Sequence, residues 1–155
     1  IEGDKVICLR NDWEHPSAAG DIAVNGTIGT LSNIRYAYNN PVLNPRMTAD
    51  FLPETYTDVD VEVSPYDLYF RDINMDYKLL TTGEETVTKE NFKTFPKIWR
   101  PQTYDYAYAI TCHKSQGSEF DKVLVYDEPF GNSEQRRRWR YTAVTRSAQK
   151  LVIVV

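Results

Sequence analysis

Cysteine is scarce in this sequence. Only Cys8 and Cys112 occur in 155 residues, 104 positions apart. That excludes a disulfide framework and predicts a reducing, cytoplasmic setting. Long apolar runs are absent too: none approaches the ~20 residues a membrane-spanning helix needs. The charged start Ile1-Glu2-Gly3-Asp4-Lys5 has no apolar stretch of signal-peptide type, and no initiator methionine opens it, so a piece of a longer chain is expected. Histidine is limited to two residues. His113 stands next to Cys112 without the spaced partners of a zinc site, and His15 reads as a loop residue. No G-x-S-x-G elbow accompanies His113, Ser115 and Asp121, which leaves a hydrolase triad without its nucleophile turn. No G-x-x-x-x-G-K-[ST] phosphate loop occurs, and no acidic metal pair follows a strand in the matching order.

What is present is an ordinary globular mixture, 41% hydrophobic and 26% charged, which excludes wholesale disorder. Aromatics reach 13%, with 11 tyrosines, and favour strands and stacking surfaces. The net charge of −4 is unevenly spread. Residues 1–100 carry 10 basic and 16 acidic side chains, residues 101–155 eight and six. Between Asp50 and Glu90 there are 11 acids against Arg71, Lys78 and Lys89. A uniformly basic nucleic-acid binder is excluded, so a polyanion must meet a local patch in the C-terminal third.

Two textures divide the chain. Residues 1–100 read as a β-rich module with decorated loops, residues 101–155 as an α/β segment. In the first, Lys5–Leu9 and Thr27–Leu31 read as short strands, the second opening after the Asn25-Gly26 turn signal. Pro41, Pro45, Pro53, Pro65, Pro96 and Pro101 argue against long helices. Val59–Val63, Leu68–Phe70 and Tyr77–Leu80 are read as further strands, and the acidic stretch as a solvated surface rather than a dedicated partner site. In the second, Tyr106–Ile110, Lys122–Tyr126 and Leu151–Val155 read as buried parallel strands. A helix from Ser133 to Ala148, with Ser133 as N-cap and Glu134 in its first turn, lies between the last two. Strand, crossover, strand, helix, strand is an α/β pattern.

The chemistry-bearing residues cluster in that second segment. Thr111, Cys112, His113, Lys114, Ser115 and Gln116 follow an expected strand, at the sheet end where open α/β sheets place ligands. A hydroxyl, an imidazole, an ammonium and a carboxamide suit phosphate oxygens, and Gly117 allows close backbone approach. On the helix, Trp139, Thr142, Ala143 and Arg146 share one face, so Arg146 extends a buried stripe. An arginine there is costly unless it meets an anion or lines a cleft. Arg136, Arg137, Arg138 and Arg140 spread around the helix and read as a solvated face.

These strings resemble a known family. YAITCHKSQGSEFDKVLV resembles motif V of superfamily 1 helicases, and WRYTAVTRSAQKLVIVV their motif VI. GDKVICLRND followed by VNGTIGTL resembles the start of the SH3-like accessory domain of the RecD-like and Dda-like branch, which interrupts the second RecA-like domain before motif V. The resemblance implies a partial RecA-like sheet, of the P-loop NTPase second-domain type, with an SH3-like β-barrel insertion.

The resemblance also implies roles. Arg146 corresponds to the arginine that reaches the γ-phosphate of ATP held by the N-terminal RecA-like domain of the parent chain. Gly117 and Glu119 correspond to residues near the nucleotide phosphates and sugar. Thr111 and His113 correspond to contacts with single-stranded DNA, and Lys114, Ser115 and Gln116 couple that grip to the nucleotide. Mg²⁺ is expected on the other domain. Gln116, where the UvrD/Rep-like branch usually has lysine, favours the RecD/Dda-like branch and 5′→3′ movement. The implied activity is that of an ATP-dependent DNA helicase, or of the helicase subunit of an exonuclease, with this chain inactive on its own. Two alternatives stay open: a non-catalytic module whose acidic β part recruits a protein around a relic RecA-like scaffold, and a viral-type RNA helicase.

Overall fold

A computed structural model describes the chain except for Val42, residues 55–68, Pro129 and the side chains of Phe92 and Ile98. The expected strand Val59–Val63 and the start of Leu68–Phe70 lie outside the described residues. The chain forms a mixed α/β fold in two compact units, Ile1–Tyr108 and Ala109–Val155.

In the first unit, strands β1 (Lys5–Cys8), β2 (Ile28–Ala37), β3 (Arg46–Pro53), β4 (Phe70–Met75) and β5 (Tyr104–Tyr106) form one sheet in the order β4-β3-β2-β1-β5. Its ladders are antiparallel. Strict alternation in β3 turns Met47, Ala49, Phe51 and Pro53 inward, the pattern of a half-buried strand. Central β1 is wholly apolar after Lys5 and buries Val6, Ile7 and Cys8. The Phe51 ring is the hub, edge-on to Tyr104 at 5.0 Å and tilted against Phe70 at 6.1 Å. Gly29 is fixed by space, because a methyl group there would run into the Leu52 carbonyl and the Phe51 ring. A bulge between Ser32 and Arg35, with Asn33 at φ +52°, bends β2 out of the regular ladder.

Three expectations for this part are corrected. Among the described residues the ladders do not close into a barrel: β4 and β5 are the outer strands of the sheet, and Met75 of β4 forms an isolated bridge with Gln102, which precedes β5. Tyr77–Leu80 is not a strand but the start of helix α1 (Tyr77–Thr82). Buried Asp76 caps it, accepting from Leu79 N, and Gly83 at φ +76° closes it with its N–H on Leu79 O. Finally, Tyr106–Ile110 is not a buried parallel strand. The strand is Tyr104–Tyr106, antiparallel to β1, and it belongs to the first unit.

Asp12 anchors the loop after β1. Its buried carboxylate accepts from the backbone N–H groups of Glu14 and His15 and lies 3.0 Å from His15 Nδ1. Hydrogen bonding to Asp12 raises the His15 pKa above its usual 6.5, against the opposing effect of burial. A raised folded-state pKa adds stability that is complete below the unfolded value and lost as pH rises through the folded one. We therefore expect the chain's stability to fall as pH climbs from about 6.5, and His15→Gln to flatten that slope. Urea titrations across this range check it; equal slopes in both proteins would remove the pair from the stability account.

In the second unit, β6 (Phe120–Tyr126) and β7 (Ser147–Val154) pair in parallel, joined in sequence by helix α2 (Ser133–Val144). The helix is shorter than expected and its N-cap is Asn132, not Ser133. Asn132 Oδ1 accepts from Gln135 N while Gln135 Oε1 accepts from Asn132 N, each at 2.9 Å, a reciprocal capping box. Val125 and Ala143 are buried, but Leu124 and Ile153 stay 68% and 47% exposed. Buried strands were expected; a two-stranded sheet leaves apolar side chains without neighbours to cover them.

Candidate functional site

The candidate site lies within the second unit. The segment 111–119 forms a chain of tight turns just before β6. Ser115 N donates to Thr111 O at 3.1 Å, Gln116 N to His113 O at 3.3 Å and Ser118 N to Ser115 O at 3.1 Å. Thr111 Oγ1 accepts from Lys114 N at 3.3 Å. Ser115 is buried and its hydroxyl donates to Cys112 O at 2.8 Å, so it holds the turn together. Gly117 completes the bend at φ +87°, a conformation glycine reaches at no steric cost, and the space beside its Cα is open. Thr111, His113, Gln116 and Glu119 are exposed.

Arg146 comes directly against this segment. It follows the last turn of α2, and its backbone carbonyl accepts from Phe120 N at 2.8 Å, tying the end of the helix to the start of β6. Its guanidinium donates to Thr142 O, Ser118 O and Thr145 Oγ1, each at 3.1 Å. All three acceptors are neutral. The side chain is thus oriented by five-donor geometry and half-buried, while none of these bonds neutralises its charge. The Cys112 thiol, pushed up by burial and drawn down by the Arg146 charge, lies 3.6 Å from Trp139 O. His113 and Gln116 line a cleft with Trp139 and Thr142.

The expected residues therefore meet in part. Arg146 reaches the 111–119 segment through Ser118, and His113 and Gln116 share one cleft. Ser115 faces its own loop, and Glu119 is exposed without a described bond to Arg146. Two features escaped the sequence reading. Ser118 serves as the dock for Arg146 through its carbonyl, which no side-chain pattern announces. Asp127, just past the end of β6, has a buried side chain. Arg140 and Arg136, four residues apart on α2, converge on it. A hydrogen bond from Arg140 holds its carboxyl below the usual range, helped by Arg136 and opposed by burial. Half of the arginine run is thus structural rather than a solvated face. Acidic Asp127 followed by an i, i+4 arginine pair was the available signal.

Among the described residues no group of three or more His, Cys, Asp or Glu side chains converges as a metal site, and no helix is long and apolar enough to cross a membrane.

Comparisons with known proteins bear on this segment. Residues 106–154 match the model of the UvrD-like helicase C-terminal domain. A protein of Methanocaldococcus jannaschii, itself uncharacterized, is 41% identical over 51 residues, which is 33% of this chain and 4% of that relative. The fold is similar to that of Bacteroides Pif1 in its complex with ssDNA, with a TM-score of 0.50 and 17% identity over 98% of this chain and 28% of that one. Pif1 helicase from Candida albicans gives 0.48 and 17%, over 99% and 32%. The chain spans less than a third of the length of each of these relatives. Its C-terminal third is similar to the C-terminal domain of UvrD-like helicases.

Proposed function

We propose that this chain is the C-terminal part of an ATP-dependent DNA helicase, one that couples ATP hydrolysis to movement along single-stranded DNA. The observation that carries the reading is the placement of Arg146: its guanidinium is steered by neutral acceptors, Ser118 O among them, onto the segment that precedes β6. In this reading the second unit, Ala109–Val155, closes the second RecA-like domain, and the first unit, with its open sheet, is an accessory module inserted before it.

The donor set fits a nucleotide. An arginine whose bonds leave its charge uncompensated suits a phosphate oxygen, and the open backbone at Gly117 suits close approach. ATP, when bound with Mg²⁺ on the N-terminal RecA-like domain, supplies the phosphoryl group. Arg146 stabilises negative charge developing there. Gly117, Glu119 and Gln116 border the nucleotide, and Thr111, His113 and Lys114 hold the DNA backbone. Ser115 keeps the turn shaped through its bond to Cys112 O. Bacteroides Pif1, bound to ssDNA in its crystal structure, supports DNA as the polymer. The RecD-like and Dda-like branch, 5′→3′ movement, a place in an exonuclease complex and a cytoplasmic setting that keeps Cys8 and Cys112 as thiols belong to the same proposal.

The two halves of the site separate experimentally. His113→Ala in the full-length protein is expected to lower the stimulation of ATP hydrolysis by single-stranded DNA while leaving basal hydrolysis within about twofold, since an exposed side chain is removed. Steady-state hydrolysis against DNA concentration reads both. Equal loss of basal and stimulated rates would take His113 out of the DNA grip.

A further inference from the structure

The arginine run borders a groove in the second unit that the motor reading does not use. Two adjoining clefts meet at Phe130 and Gly131, in the loop between β6 and α2. One, of about 640 Å³, is lined by Phe130 with Arg136, Arg137 and Arg140. The other, of about 420 Å³, is lined by Phe130 with Trp139, Arg138 and His113. Phe130 and Trp139 meet edge-on, their ring centroids 5.5 Å apart and their planes at 78°. An edge-on pair leaves at least one ring face uncovered by its partner, and Phe130 is 42% exposed. The groove is also cationic. Arg136 and Arg140 share the one carboxylate of Asp127, which leaves a positive charge over. Arg137 is exposed and has no partner among the described residues. No described carboxylate lines either cleft.

An aromatic wall beside unshared cations selects the occupant. An unpaired nucleic-acid strand alternates flat bases with phosphates, and a positive groove carrying aromatic rings serves both. An acidic peptide would satisfy the arginines but brings no planar group to Phe130 and Trp139. We propose that this groove is a second contact for single-stranded DNA, beyond the 111–119 turns. One unpaired base stacks on the Phe130–Trp139 wall, and a neighbouring phosphate meets the Arg137 guanidinium. His113, which the helicase reading sets on the DNA backbone, lines the same cleft as Trp139. The strand therefore runs from His113 past the aromatic wall to Arg137. This inference rests on the helicase reading and adds two residues to it, Phe130 for stacking and Arg137 for charge, whose effects separate by experiment.

The test measures binding of the full-length protein to an oligothymidylate and to an abasic strand of the same length. Phe130→Ala should weaken oligothymidylate binding about tenfold, the worth of one stacked base, and leave abasic binding unchanged. Arg137→Gln should weaken both strands alike and lower the slope of log affinity against log salt by about 0.7, one phosphate contact on a single strand. Wild-type protein irradiated with an iodouracil-bearing strand should crosslink at Phe130 or Trp139, a readout that holds even where a variant folds poorly. Unchanged affinity and salt slope in both variants, with hydrolysis still stimulated by single-stranded DNA, would overturn this inference alone. Crosslinks confined to other residues would do the same, as would an oligoglutamate peptide that competes as strongly as the oligothymidylate. No DNA binding by the wild type would overturn the helicase reading along with it.

Discussion

Arg146→Ala in the full-length protein is expected to lower ATP turnover by about 10³-fold or more, within the ~10³–10⁵ range of arginine fingers in phosphoryl transfer. Affinity for single-stranded DNA should change little. The asymmetry follows from where the side chain sits. Its donors bond to backbone carbonyls and a hydroxyl of the same unit and serve to aim the charge, so losing them removes the charge while leaving the 111–119 turns with their own hydrogen bonds. Arg146→Lys should rescue little, because a single ammonium cannot reproduce a fork held at Thr142 O and Ser118 O. Turnover near the wild-type rate in Arg146→Ala would take the arginine out of the chemistry. Loss of DNA binding in parallel would point to a collapsed loop instead.

The second large effect concerns stability. Phe51→Ala should cost about 3–5 kcal/mol, the usual toll for deleting a buried aromatic ring. Phe51 is fully buried and packs against both Phe70 and Tyr104, so the void would open between β3, β4 and β5. Leu124→Ala, by contrast, trims a side chain 68% exposed in the second unit and should stay within about 0.5 kcal/mol. Urea unfolding followed by near-ultraviolet circular dichroism compares the two. Equal midpoints would show that the first unit's core does not set the stability of the chain.

Much of this architecture was legible in the residues because periodicity and punctuation agreed. Lys5–Cys8, Ile28–Leu31 and Lys122–Tyr126 combine β-branched residues with flanking turn signals, and each is a strand. The helix before Arg146 was legible for the same reason, lacking glycine and proline. Tyr77–Leu80 was misread because four residues cannot distinguish a period of two from one of 3.6. Its outcome was decided by Asp76 and Gly83, caps that lie outside the apolar run. Tyr106–Ile110 was misread because an apolar run looks the same whichever strand it pairs with. Only the ladder with β1, Val6 opposite Tyr106, shows that the strand ends there. In the candidate site the residue types were visible and the contacts were not. Arg146 docks on a backbone carbonyl, and Arg136 and Arg140 converge on Asp127, arrangements that follow from the crossover between β6 and β7 rather than from spacing alone.

The most direct test of the account is the rate of ATP hydrolysis by the wild-type full-length protein, measured with and without single-stranded DNA. The account predicts hydrolysis that rises steeply with single-stranded DNA and saturates. Hydrolysis indifferent to DNA, or none under either condition, would contradict it and leave the 111–119 turns and Arg146 as scaffold.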